Sequence, residues 1–165
     1  MLVRDFSEYE RGWLEAFIDG EGWLGLHKLR QKYRKPTLVP YRKGYSWKVQ
    51  GGVDNTCREL IERARTIIGS GMSINHKRGT TNSRVIPRIE DKPVFRYYLN
   101  SNLLRELLPK IRLVAKERQR LLLIEALSLI ARNKKWRTEN HDVRIEEIYK
   151  EMLTLNSKAS RWRDS

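Results

Sequence analysis

The stretch Trp13-Leu14-Glu15-Ala16-Phe17-Ile18-Asp19-Gly20-Glu21-Gly22 decides how the rest of the chain is read. It has the pattern of an apolar helix that ends in an acidic, glycine-rich turn. Ser7 followed three residues later by Glu10 is a capping-box pair, which starts the helix just ahead of the stretch. Leu14, Phe17 and Ile18 fall at i, i+3 and i+4 and make one apolar face. Gly12, Ala16 and Gly20 recur every four residues on another face, and side chains that small let a second backbone approach closely. Gly20 and Gly22 supply the left-handed or strained backbone with which a helix stops.

The 165 residues hold 34 Lys and Arg against 20 Asp and Glu, a net charge of +14. An excess of that size favours a polyanionic partner, nucleic acid before an anionic membrane. A hydrophobic content of 39% is enough for one core. No apolar run has the length of a membrane span, and the N-terminus shows no secretion signal, so an intracellular protein is expected, in an archaeal or bacterial cytoplasm or an organelle interior. Cys57 is the only cysteine, which leaves no internal disulfide, and no Cys/His cluster has zinc spacing. His27, His76 and His141 are scattered, which speaks against a histidine-based nuclease site.

Charge is segregated along the chain. Residues 5–21 hold Asp5, Glu8, Glu10, Glu15, Asp19 and Glu21, whereas residues 27–48 hold eight Lys and Arg and no acid. Residues 23–33 and 45–54 read as two strands joined by a long basic loop. Tyr45, Trp47, Val49 and Val53 alternate with Ser46, Lys48, Gln50 and Asp54, the period of a half-buried strand. In the first strand Leu24 and Leu26 point inward and His27 and Gln31 outward; Lys28 falls on the inward set against the pattern. A helix over 57–68 follows, with Asn55 or Thr56 as its N-cap and Gly69-Ser70-Gly71 as its stop. Strands are expected over 72–78, 84–89 and 94–99. Ser101 and Asn102 are read as capping a short helix over 103–108, and Pro109 as opening a long one to about Ala131. Residues 132–141 are a basic break before a last amphipathic helix over 143–155. The expected layout is one domain over 1–155 and a disordered basic tail over 156–165. Blocks of this order without a βαβ repeat predict an α+β fold, with helices on one face of an antiparallel sheet.

The segment 14–22 resembles, from end to end, the signature of the LAGLIDADG homing endonucleases. The order of elements is similar to that family's over nearly the whole chain. The resemblance implies an αββαββα core with a saddle-shaped antiparallel sheet. One copy of the motif implies a homodimer, paired through Gly12, Trp13, Ala16, Phe17 and Gly20. Glu15 departs from the usual small residue and is expected at the rim of the helix pair; Glu21 stands where Asp is commoner. The resemblance implies that Glu21 holds a divalent ion, Mg²⁺ or Mn²⁺, with the Gly20 carbonyl as a second ligand and Asp19 as the rival carboxylate. It implies that Lys116 stabilises the developing phosphate charge, and that Asn55 and Arg58 have supporting roles near the site.

Basic and polar residues on long strands can read base edges in the major groove. His27, Arg30, Gln31, Arg42, Lys48, Gln50, Asn75, Lys77, Arg84 and Arg88 are the expected readers, with Lys43 and residues 132–137 on phosphates. The resemblance implies site-specific double-strand cleavage of a long pseudo-palindromic DNA site by an intron-encoded enzyme, with a staggered cut across the minor groove. Two rivals remain: a cleavage-deficient relative acting as an RNA maturase on intron RNA or as a DNA-binding regulator, and a monomeric basic RNA-binding protein.

Overall fold

The computed structural model describes residues 3–30, 45–69, 74–77, 93–131 and 139–161. Helix α1 spans Glu8–Glu21, β1 Gly22–Arg30, β2 Tyr45–Asn55, α2 Arg58–Ile68, β3 Ile74–Lys77, β4 Val94–Leu99 and α3 Ser101–Leu107. A 3-10 turn over Leu108–Lys110 follows, then α4 over Glu117–Ala131 and α5 over Glu139–Arg161. The strands form a four-stranded sheet in the order β1-β2-β4-β3, and β2–β4 and β3–β4 pair antiparallel. The fold is α+β, as the block pattern predicts.

Two compact units divide the chain. The first comprises Met1–Trp23 and Gly51–Ala115. In it, α1 starts with the expected capping box: Ser7 Oγ accepts the Glu10 N–H at 3.2 Å, and Glu10 Oε2 accepts the Ser7 N–H at 3.0 Å. Leu14, Phe17 and Ile18 are buried, as their spacing predicts. Helix α2 packs on α1 and β4, burying Ile61, Ala64, Ile67 and Ile68. Tyr97 and Leu99 of β4 and Leu103, Leu104 and Leu107 of α3 extend the same core. Each fully buried aliphatic side chain contributes about 1.5–3 kcal/mol relative to exposure.

The second unit comprises Leu24–Gln50 and Lys116–Ser165. Leu24 and Leu26 of β1 and Trp47 and Val49 of β2 are buried, matching the predicted alternation. Helices α4 and α5 pack together through Leu122, Leu123, Ala126, Leu127, Ile145, Ile148 and Met152. Trp47 lies 5.3 Å from the Tyr149 ring of α5. Lys28, the exception in the alternation, has a reason to stay on the inward set: its Nζ is 2.7 Å from Glu146 of α5 and 4.3 Å from the Tyr45 ring centre. Among the described residues no helix is long and apolar enough to cross a membrane.

Several expected boundaries move. The N-cap of α2 is Cys57, with no side-chain bond; Asn55 acts one step earlier, its Oδ1 accepting the Cys57 N–H at 2.8 Å. Asn100, not Ser101 or Asn102, caps α3, its side chain accepting the Leu103 N–H at 2.9 Å. Pro109 does not open the long helix. It sits in the 3-10 turn, Ile111 and Leu113 are buried in a non-helical run, and α4 begins only at Glu117. Helix α5 continues past Leu155 to Arg161. The expected strand over 72–78 is described as Ile74–Lys77; the strand over 84–89 lies outside the described residues.

The glycine at the end of α1 works differently from the expectation. Gly22 has φ −79° and ψ 158°, ordinary extended backbone, and its N–H bonds to the Ile18 carbonyl. A Cβ there would meet the Ile18 carbonyl oxygen at 2.4 Å. Gly22 is needed for close approach, whereas the left-handed turn belongs to Gly69, φ 76°, at the end of α2.

Candidate metal and nucleic-acid site

The end of α1 separates its acids by task. Glu15 Oε1 accepts the Arg112 N–H at 2.7 Å. Asp19 Oδ2, one turn on, accepts the N–H groups of Val114 at 2.5 Å and Ala115 at 3.0 Å. The two carboxylates, at i and i+4, therefore strap the non-helical segment 111–115 onto α1. This occupies Glu15 within its own chain and gives Asp19 a structural duty. Glu21, the last residue of α1, is exposed and has no hydrogen bond or ion pair among the described residues. By the geometry of helix ends, the Gly20 carbonyl has no acceptor duty within the helix.

These groups fit a hard cation. Among the described residues no cluster of three or more His, Cys, Asp and Glu could hold an ion unaided. Magnesium does not require one: it keeps waters and takes one or two carboxylates together with phosphate oxygens. Glu21 and the Gly20 carbonyl offer one carboxylate and one carbonyl, with room left for phosphate.

The small-residue face of α1 is open. Gly12, Ala16 and Gly20 are exposed, and a Cβ at Gly12 or Gly20 would meet nothing within 4 Å. Trp13 is half-buried, stacked at 5.0 Å on Phe17 and covered by the Arg63 guanidinium at 4.6 Å. Phe17 faces the core of its own chain.

The remaining expected residues divide as follows. Lys116 is half-buried, and its carbonyl accepts the Arg120 N–H at 2.9 Å, so it stands at the mouth of α4. The Asn55 side-chain oxygen is taken by the turn into α2, and Arg58 pairs with Glu62 along that helix. His27 and Lys48 are exposed and Gln50 is half-buried. Partial burial, helped by the nearby Lys48 charge, lowers the pKa of the His27 imidazole. Arg30 is in β1, and Asn75 and Lys77 are in β3. Gln31, Arg42, Lys43, Arg84, Arg88 and residues 132–137 lie outside the described residues.

One group escaped the sequence reading. Asp54 of β2 and Arg96 of β4 are directly opposite in the strand register. Arg96 Nε donates to Asp54 Oδ1 at 2.6 Å, and Nη2 donates to Oδ2. The Asp54 hydrogen bonds raise the Arg96 pKa. The Trp23 ring centre is 5.6 Å from the Arg96 guanidinium and 5.8 Å from the Tyr98 ring. The outward alternation of Arg96 and Tyr98 along β4 was the available signal.

No protein-family model matches the sequence, and no curated protein matches it. Solved structures do match. The group I intron-encoded homing endonuclease I-CeuI, complexed with DNA, superposes with TM-score 0.66 at 16% identity over 90% of this chain and 68% of that one. The homing endonuclease I-CvuI, in complex with uncleaved I-CreI target in 2 mM Mg, gives 0.59 at 18% identity over 90% and 82%. The LAGLIDADG homing endonuclease I-SmaMI, bound to cleaved DNA, gives 0.59 at 25% identity over 82% of this chain and 41% of that one; it is also seen on uncleaved DNA with calcium ions. The chain thus spans less than half the length of I-SmaMI. It has the LAGLIDADG homing endonuclease fold.

Proposed function

We propose that this LAGLIDADG-fold chain is a divalent-metal-dependent DNA endonuclease, encoded in an intron and active as a homodimer on a long, near-palindromic duplex site. The observation that carries the reading is Glu21. It is exposed and, among the described residues, unengaged at the end of the same helix that leaves Gly12, Ala16 and Gly20 open, while its neighbour Asp19 is committed to backbone. Open small residues favour pairing of two α1 helices, which would place one Glu21 from each chain near the two-fold axis. A net charge of +14 favours duplex DNA as the polyanion, and I-CeuI, I-CvuI and I-SmaMI are all described with DNA.

Glu21 and the Gly20 carbonyl would hold Mg²⁺, which supplies charge relief at the scissile phosphate when bound. Magnesium and calcium are both named with these neighbours. The resemblance assigns Lys116 to the negative charge that develops on the phosphate. His27, Lys48 and Gln50 supply polar groups on the strands for contact with bases and backbone. With roughly 6–10 phosphate contacts, affinity falls steeply with salt.

The test uses the sequences that flank the reading frame's host intron, joined as the uninterrupted allele. The purified chain with Mg²⁺ is expected to make one staggered double-strand cut, and to make none with EDTA or as Glu21→Gln. Tight binding of that DNA without a cut under any divalent metal would point to a cleavage-deficient regulator or to intron RNA as the partner.

A further inference from the structure

We propose that Arg96, clamped by Asp54, reads a guanine in each half of the DNA site. This rests on the reading that the chain binds duplex DNA. The two residues face each other across β2 and β4, so their side chains share one face of the sheet. Both side chains are 29% exposed, enough to be reached by a partner yet sheltered enough to keep one geometry. The backing comes from Trp23. Its indole lies against Gly52, where a Cβ would come within 3.0 Å of Trp23 Nε1 and 2.8 Å of the Tyr97 carbonyl oxygen. Any larger residue at 52 would displace the ring that stands beside the guanidinium.

The unused donors are what give the pair its direction. Arginine has five N–H groups in a planar fork. Asp54 takes the Nε edge and one hydrogen of Nη2. The other three N–H groups have no partner among the described residues. They include the Nη1/Nη2 end of the fork, which presents two parallel donors. In the major groove only guanine shows two adjacent acceptors, O6 and N7; adenine would meet one of these donors with another donor. A phosphate could also accept the fork, but Asp54 cancels the Arg96 charge locally. The pair is therefore a weak anchor for an anion and a good one for the neutral edge of a base.

The neutral pair predicts an unusual separation of affinity from discrimination. Preferred sites are selected from a randomised duplex pool for the wild type, Asp54→Asn and Arg96→Lys, with thermal melts as the folding control. The wild type is expected to require guanine at one symmetric pair of positions, and 7-deazaguanine there is expected to weaken binding about 10- to 100-fold. Arg96→Lys keeps the charge and loses the fork, so the guanine preference disappears. Asp54→Asn frees a cation: discrimination at that position falls, while the salt dependence of binding steepens by about one phosphate contact. If the wild type binds a specific site and all three proteins prefer the same bases at every position, this inference is wrong and the DNA-binding reading survives. If the wild type selects no duplex sequence, both fail together.

Discussion

The Asp19 carboxylate accepts the Ala115 backbone N–H at 3.0 Å, across 96 positions of chain. The same oxygen accepts the Val114 N–H, and Glu15 one turn earlier accepts that of Arg112. A helix whose acids are aimed at a distant backbone is doing structural work with them. Asp19→Ala is expected to destabilise the chain by about 1–2 kcal/mol, the loss of charge-assisted bonds in a half-exposed setting. Urea unfolding measures it; an unchanged midpoint would show that the strap is dispensable.

Glu21 is expected to behave in the opposite way. Glu21→Gln removes a carboxylate that holds nothing within the described structure, so stability should stay within about 0.5 kcal/mol. Cleavage in Mg²⁺ should fall by more than about 100-fold, since the change removes a proposed direct ligand. A pair of melts and cleavage assays on the Asp19 and Glu21 variants separates the two duties. A Glu21→Gln protein that cuts at the wild-type rate would remove Glu21 from the site.

Gly12 gives a change of opposite sign in the two states of association. It lies in the interior of α1 with nothing near a Cβ, so Gly12→Ala should stabilise the isolated chain by about 0.5–1 kcal/mol through helix propensity. Gly12→Leu fills the space a second α1 would occupy and is expected to turn a dimer into a monomer. Sedimentation reads the mass directly. A leucine variant that still sediments as a dimer would place the interface elsewhere.

Glu10 sets an acid limit on the start of α1. Hydrogen bonds from Arg4 and from the Ser7 backbone hold its pKa at about 2, against an ordinary 4.5. A carboxylate depressed in the folded state contributes stability above pH 4.5 and loses it as pH falls towards 2. Glu10→Gln keeps the capping-box geometry but cannot ionise. The melting difference between wild type and Glu10→Gln is expected to be full at pH 5–7 and to close between pH 4.5 and 2. A difference independent of pH would mean that the Arg4 pairing adds nothing to folding.

Local patterns carried much of this fold. The Ser7–Glu10 capping box, the Leu14/Phe17/Ile18 face, the alternation of Trp47, Val49 and Val53, and the β4 bounds are all as their spacing indicates. The errors fall where distant groups intervene. Pro109 suits a helix start, yet burial of Ile111 and Leu113 and the bonds from residues 112–115 to Glu15 and Asp19 keep the chain out of the helix until Glu117. Lys28 breaks the strand pattern because Glu146, 118 positions away, meets it. The site divides in the same way. Glu21 is a candidate that a contiguous motif offers, whereas the Asp54–Arg96 clamp depends on which residues of β2 and β4 are opposed, and one strand does not reveal that.

The close approach at Gly22 makes α1 a ruler. The helix ends where the Gly22 N–H meets the Ile18 carbonyl, and no side chain fits in that contact. Inserting one residue upstream within α1 would turn everything beyond it by about 100° about the helix axis. Glu21 would then be turned by that angle relative to Gly12 and Ala16, and Asp19 would lose its reach to Ala115. Length variation among proteins built this way should therefore collect in the connections between elements, while the count of residues from Ser7 to Gly22 stays fixed.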